Sequence, residues 1–244
     1  GYDYIELSGY EVSTLSDAAF TELLSIIKGG SIPCLGFNDY GRLAPALVGE
    51  AFDAQSIRAY AKKIFKRGHQ LGIQSIGIGA PTLRKLPKDF SAKTADEQCQ
   101  LALSIILEEA EPYQIFVLFE SIHNYACDYC HTLKAAYKLA KTIDHPLLKL
   151  VADFYHMQVM GESPETMLNY IDIIQHSHIS GCGAHYERPY LTETDTPFIQ
   201  DVFSTLRKAG KPLTLSLECD AAQFETRAAA SFACLKNLWN TNAI

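Results

Sequence analysis

The sequence predicts a (β/α)8 barrel, in which each parallel strand is followed by a helix that covers the outside of the sheet. Short apolar runs alternate strictly with amphipathic helical stretches along the whole chain. The runs lack the polar–apolar alternation of a half-exposed sheet, as strands that are buried on both faces do. The length of 244 residues suits one such barrel, so we expect a single TIM-barrel domain over residues 1–244.

Seven apolar runs have the composition of buried parallel strands. In chain order they cover residues 4–7, 32–37, 74–79, 114–120, 148–153, 174–180 and 213–218. Predicted helices follow at 16–28, 54–71, 95–110, 129–143, 164–173, 197–209 and 221–238. Thr94 with Glu97 has the spacing of a capping box, and Gly72 and Gly210 lie where helices should end.

Seven units are one short of a closed barrel, because closure fixes the tilt and the shear of eight strands together. The stretch "GYDYIEL" begins abruptly, and Gly1 lies where a preceding helix would end. We therefore expect that a first strand–helix unit is absent from this sequence. A closed barrel made wholly of these residues, or an open doubly wound sheet, would contradict this expectation.

The composition argues against two classes of partner. The net charge is −7, whereas a sequence-independent grip on nucleic acid needs a basic surface. The apolar runs are too short to span a bilayer, and we expect neither a membrane contact nor a secretion signal. Seven cysteines, an odd number without framework spacing, indicate reduced thiols and a cytoplasmic protein.

The stretch "CDYCH" at 127–131 matches the pattern for covalent haem attachment. It also lies at the start of the helical pattern that continues through Leu133, Tyr137 and Ala140, and the second CxxC half of a zinc site is missing. We interpret these residues as the start of a helix.

Four strands end on a residue that can bind a metal ion. In a (β/α)8 barrel the carboxyl ends of all strands open onto one face, where such enzymes keep their active sites. These residues are Glu120, Asp153, His178 and Glu218. Taken singly, each could be a helix cap, an ion-pair partner or a hydrogen-bonded core residue. We interpret His176 as such a core residue, which could also contact a ligand, and Glu6 as a structural residue or a support of the ligands.

Together, three carboxylates and one imidazole predict a shared divalent cation. Without a cation the carboxylates would repel one another, and burial of an unpaired charge costs several kcal/mol. The oxygen-rich set favours Mn²⁺, Mg²⁺ or Co²⁺ over a thiolate-type zinc site.

The motifs "GYDYIELSG", "FVLFESIHN", "VADFYHM", "HSHISG" and "LSLECD" resemble the sugar phosphate isomerase/epimerase family with the xylose isomerase-like TIM barrel. The pattern is most similar to that of the ketose 3-epimerases, which act on D-tagatose and D-psicose. The resemblance implies the same four metal ligands, with Glu120 and Glu218 as the acid/base pair. It also implies that His156 binds a substrate oxygen beside the metal and that Arg188 binds substrate.

The chain departs from that pattern after the fourth strand. The epimerases carry a second Glu near the position of Ala126, where this chain has none, and their Asn could correspond to His123 or Asn124. The stretch "RPYLTETDTP" replaces an expected glycine-rich loop. Substrate identity and epimerase activity therefore stay open.

We expect a metal-dependent sugar isomerase or epimerase that abstracts a proton from a ketose, or a related polyhydroxy carbonyl compound, through a metal-stabilised enediolate. Mn²⁺ is the expected cofactor, with Mg²⁺, Co²⁺ or Zn²⁺ as alternatives, and the partner is a small-molecule sugar. Homo-oligomerisation stays open. One alternative is a metal-dependent dehydratase on the same scaffold, and another is a non-catalytic sugar-binding barrel. A nuclease is disfavoured, because it would need more histidines and a basic rim.

Overall fold

The computed structural model describes residues 1–241, and the strands follow one another through the sheet in chain order. Seven strands are present in this part of the chain. They are β1 (Ile5–Ser8), β2 (Cys34–Asp39), β3 (Ser75–Ile78), β4 (Phe116–Glu120), β5 (Leu148–Asp153), β6 (Ile174–Ile179) and β7 (Thr214–Leu217). Consecutive order has no switch point of the doubly wound kind, and it confirms the predicted barrel of strand–helix units. The hypothesis of a further unit before Gly1 stays a prediction.

Eight α-helices lie within the described residues. They are α1 (Gly9–Thr14), α2 (Asp17–Gly29), α3 (Ala54–Leu71), α4 (Ala92–Ala110), α5 (Leu133–Ile143), α6 (Phe154–Val159), α7 (Thr196–Lys208) and α8 (Phe224–Thr241). The predicted helix 164–173 is instead a 3₁₀ helix over Pro164–Tyr170. None of the helices in residues 1–241 combines the length and the apolar composition that crossing a bilayer requires.

Two predicted helix starts were wrong. Helix α4 begins at Ala92 because Ser91, and not Thr94, accepts the hydrogen bond of the N-cap. Helix α5 begins at Leu133 after the N-cap Thr132, so "CDYCH" lies in the loop before the helix. Cys130 has φ 63°, a left-handed conformation that a helix cannot contain.

The chain has two compact parts, of which the first is residues 3–150. It contains β1 to β4 with parallel pairing, in which Ser75 lies opposite Phe116 and Ile78 opposite Phe119. Its core includes the fully buried side chains of Ile64, Phe65 and Phe119. Helices α3 and α4 pack together, and Arg58 pairs with Glu108 and Glu109 across them.

The second compact part is residues 1–2 with the described residues of 151–244. Strands β6 and β7 pair in parallel, with His176 opposite Thr214 and His178 opposite Ser216. Helices α7 and α8 pack through an edge-to-face contact between Phe203 and Trp239, whose ring centroids are 5.0 Å apart. The parallel pairing brings the carboxyl ends of β6 and β7 side by side, and this sets up the site.

Candidate metal centre

Glu120 is the last residue of β4, and its side chain is buried. Its backbone carbonyl accepts a hydrogen bond of 2.7 Å from Nη1 of Arg84. Its carboxylate lies against the backbone of Gly79, so close that a Cβ atom added at Gly79 would overlap Oε2 of Glu120. The place of this carboxylate therefore depends on a glycine just after β3.

Asp153 ends β5 and is also the N-cap of α6. Its Oδ1 accepts hydrogen bonds from the backbone N–H groups of Tyr155 and His156, at 2.8 and 3.1 Å. This explains why a buried strand ends on an aspartate where a helix begins. With Oδ1 used by the cap, Oδ2 faces Arg188 at 2.7 Å, His178 Nδ1 at 3.7 Å and His156 Nε2 at 3.9 Å.

His178 and Glu218 reach the same place from β6 and from the residue after β7. Nδ1 of His178 lies 2.8 Å from Oε2 of Glu218, and the His178 side chain is 1% exposed. One ligand atom each from Asp153, His178 and Glu218 lie within 4.8 Å of one another. The structure thus brings together three of the side chains that the sequence predicts as ligands.

Arg188 is the cation at this cluster. Its Nη2 lies 2.7 Å from Oδ2 of Asp153 and 2.8 Å from Oε2 of Glu218, so one nitrogen bridges two carboxylates. Its Nε donates to the backbone carbonyl of Glu218 at 2.8 Å, and Nη1 lies 3.3 Å from Nε2 of His156. The guanidinium carbon lies 4.5 Å from the centre of the Tyr155 ring. The residues that were predicted to bind substrate, His156 and Arg188, are therefore neighbours.

Both carboxyl groups in the cluster favour the ionised state. Burial alone would raise the pKa of Asp153, but the charges of Arg188, His156 and His178 hold that pKa well below its usual value. Burial likewise opposes ionisation of Glu218, and Arg188 with His178 outweighs it, so the pKa of Glu218 is lowered. The cluster therefore offers carboxylates, the form that binds a cation.

The donor set fits a divalent metal ion. Two carboxylates and one imidazole, with no thiolate among them, suit Mn²⁺, Mg²⁺ or Co²⁺, and His-with-carboxylate sets also bind Zn²⁺. All three side chains are at most a quarter exposed, so an ion bound there would be held by fixed ligands. The site can thus bind a divalent metal.

The neighbouring histidines differ in role. His176 is buried, its Nδ1 is hydrogen-bonded to Oγ1 of Thr214, and its ring lies edge-on to His178 with centroids 4.8 Å apart. This agrees with the hydrogen-bonded core residue that we expected. After β4, His123 is buried and Asn124 is exposed.

The "CDYCH" stretch ties its own loop together. Sγ of Cys127 contacts the carbonyls of Ile122 and Tyr129, and Nδ1 of His131 lies 3.0 Å from the carbonyl of Ile122. Among residues 1–241, neither Cys127 nor His131 belongs to a group of three or more side chains spaced to hold a metal.

Two residues were not predicted to contact a candidate ligand or Arg188, as the structure shows that they do. Arg84, in "PTLRK", carries no sign of burial in the sequence. Tyr155, an aromatic residue near a strand end that could stack on a sugar ring, lies with its ring against the guanidinium of Arg188. An aromatic residue between a predicted metal ligand and a predicted substrate-binding histidine is the one signal that could have indicated this.

The chain belongs to the xylose isomerase-like TIM barrel family, whose sequence profile matches residues 1–238. A D-psicose 3-epimerase from Clostridium cellulolyticum H10, solved with D-tagatose, is similar in structure, with a TM-score of 0.80 and 15% identity over 98% of this chain and 90% of that one. The 3-keto-D-glucoside 4-epimerase of E. coli has a TM-score of 0.76 and 18% identity over 97% and 90%.

An IOLI protein that binds a zinc atom is also similar, with a TM-score of 0.72 and 20% identity over 98% of this chain and 87% of that one. At these identities the likeness shows the shared fold alone. No curated protein matches this chain at a significant level.

Proposed function

We propose that this protein is a divalent-metal-dependent isomerase or epimerase that acts on a ketose or a related polyhydroxy carbonyl compound. The observation that carries the proposal is the cluster of buried Asp153 and His178 with half-buried Glu218, in which Arg188 bridges the two carboxylates. Membership of the xylose isomerase-like family and the epimerases among the structural neighbours support it.

We propose Glu120 as a fourth ligand. It ends a parallel strand as Asp153 does, it is buried, and as a ligand it would contribute a third carboxylate. Barrel closure directs the carboxyl ends of the strands to the catalytic face, where a strand-end carboxylate can serve as a metal ligand. Mn²⁺ is the ion that we propose, since the set is rich in oxygen.

The proposed chemistry is the removal of a proton from the carbon next to a carbonyl group. A divalent cation in the site would stabilise the negative charge that the substrate oxygens gain. Glu218 is held as a carboxylate by Arg188 and His178, so it is in the deprotonated form that a general base needs. Inversion at carbon 3 of the sugar needs a second acid on the opposite side of the planar enediolate, and we assign that role to Glu120.

Arg188 and His156 are proposed to hold substrate oxygens. Both lie at the cluster with nitrogen atoms directed to Asp153, and Arg188 is anchored through Nε to the backbone of Glu218. If the proton returned to the neighbouring carbon, the same residues would interconvert an aldose and a ketose. We further propose a single domain that works in the reducing cytoplasm, in keeping with seven free thiols in residues 1–241.

The test is to incubate the protein in D₂O with free and phosphorylated ketoses after loading with Mn²⁺, Mg²⁺, Co²⁺ or Zn²⁺. The proposal predicts metal-dependent deuterium incorporation and a product with the same formula as the substrate. Loss of water from the product would instead identify a dehydratase. Sugar binding without exchange would identify a non-catalytic barrel.

A further inference from the structure

Arg84 is a charged residue that is 0% exposed. It ends the 3₁₀ turn Pro81–Arg84, which follows β3. Its Nη1 donates to the carbonyl of Glu120 at 2.7 Å, and its Nη2 donates to the carbonyl of Ile78. The guanidinium lies over the ring of Phe119, 4.5 Å from the centroid. One side chain therefore joins the carboxyl ends of β3 and β4.

Burial of this charge is unfavourable unless the guanidinium is well solvated by the protein. Two carbonyls and one aromatic face provide that solvation, but Nε has no hydrogen-bond partner among the described residues. A core position that needed only packing would be filled at less cost by an aliphatic side chain. What the guanidinium adds is a rigid fork that fixes the separation of two carbonyl groups.

The same turn also holds the loop after β4. The backbone carbonyl of Arg84 accepts from the N–H of Asp128 at 3.0 Å, and the Asp128 carboxylate accepts from the N–H of Leu86 at 3.1 Å. The N–H of Ile122 donates to the carbonyl of Cys130 at 3.2 Å. Residues 121–130 are thus tied both to the Arg84 turn and to themselves.

We propose that Arg84 is a positioning residue for Glu120. By holding the Glu120 carbonyl it fixes the direction in which the Glu120 side chain leaves the strand, so that the carboxylate stays against Gly79. The consequence for metal binding rests on the proposed function, whereas the local ordering of the β4 end does not.

The chain offers a matched control in Arg67. It is 6% exposed, its Nη1 donates to the carbonyl of Val12 at 2.6 Å, and its guanidinium lies 4.8 Å from the centroid of Phe20. Arg67 is thus a second buried arginine with a carbonyl and an aromatic face as partners; it also pairs with Asp17 at 3.0 Å, and it contacts no proposed ligand. Arg84→Lys and Arg67→Lys make the same chemical change at two buried positions.

The experiment compares both variants, and Arg84→Met, with the wild-type protein. Changes next to a metal ligand typically cost about 10- to 100-fold in metal affinity or activity, so Arg84→Lys should raise the Mn²⁺ dissociation constant about tenfold and Arg84→Met should raise it further. The kcat should fall in parallel. Arg67→Lys should lower the thermal midpoint while its Mn²⁺ affinity stays that of the wild type. Equal loss of affinity in Arg67→Lys and Arg84→Lys would overturn the proposal, as would wild-type affinity in Arg84→Lys.

Hydrogen–deuterium exchange of the metal-free proteins separates this inference from the proposed function. Arg84→Lys should speed exchange of the amides in 120–130, and Arg67→Lys should leave them unchanged. If the wild-type protein bound no Mn²⁺ and turned over no sugar, the proposed function would fail, and the exchange result would still decide the role of Arg84. Unchanged exchange in 120–130 for Arg84→Lys would refute it.

Discussion

Tyr155 supports the arginine of the cluster in two ways that mutation can separate. Its ring lies 4.5 Å from the guanidinium carbon of Arg188, and its Oη donates to the backbone carbonyl of Tyr186 at 2.6 Å. Tyr186 lies in the loop between β6 and α7 that carries Arg188. Tyr155→Phe removes the hydroxyl and keeps the ring, so it should loosen this loop while the contact between the ring and the Arg188 guanidinium remains.

The expected loss of stability follows from one hydrogen bond. A typical intramolecular hydrogen bond contributes about 1 kcal/mol. Tyr186 is 42% exposed, so water can replace the lost donor in the variant, and about 1 kcal/mol is an upper value. In a chain of this length that lowers the thermal midpoint by about 2–4 °C. If all of it were transmitted to substrate binding, KM would rise by at most about fivefold. Tyr155→Leu should lose more, because the cation–π contact adds about 1–2 kcal/mol.

The difference in stability between the wild-type protein and Tyr155→Phe should depend on pH. Burial raises the pKa of the Tyr155 phenol to about 12, whereas an unfolded tyrosine ionises near 10. The contribution of this raised pKa to folding stability is therefore fully present below about pH 10 and is lost as the pH rises from about 10 to about 12. The wild-type protein should lose more stability across that window than Tyr155→Phe does.

Urea unfolding and steady-state kinetics test this reasoning. The control is Tyr60→Phe, which removes a 2.6 Å hydrogen bond from Oη to the backbone carbonyl of Tyr40 in the first compact part. That variant should lose stability with no change in KM. Unchanged stability and KM in Tyr155→Phe, or an equal rise of KM in Tyr60→Phe, would refute the proposed support of Arg188.

Two further predictions concern the carboxylates. Glu120→Gln and Glu218→Gln should each abolish turnover, because an amide can neither accept nor return the proton; full activity in either variant removes that residue from the mechanism. Gly79→Ala should weaken Mn²⁺ binding while the protein stays folded, because the added Cβ displaces the Glu120 carboxylate; unchanged binding would show that this carboxylate is not a ligand or that it moves freely.

The sequence predicted the strand ends well, because burial on both faces leaves a clear run of apolar residues. Glu120 and Asp153 are the last residues of β4 and β5, as expected, and Glu218 follows β7 directly. The histidine of the cluster lies one residue before the end of β6. These positions follow from local composition alone.

What the sequence could not predict depends on contacts made by residues far apart in the chain. Helix α6 begins at the Asp153 cap and is only six residues long, which is too short for its sequence to show a helical periodicity. The burial of Arg84 depends on the Phe119 ring and on two strand-end carbonyls. Arg188 reaches the cluster from an irregular loop, where no repeat in the sequence marks the direction of a side chain.

A titration of the metal-free protein with Mn²⁺, followed by electron paramagnetic resonance, decides whether the cluster of Asp153, His178 and Glu218 binds a metal ion. We expect one tight site per chain that is lost in His178→Gln and retained in His131→Gln, since His131 lies outside the metal-spaced groups of residues 1–241. Equal Mn²⁺ binding by the wild-type protein and His178→Gln, or no binding by the wild-type protein, would contradict it.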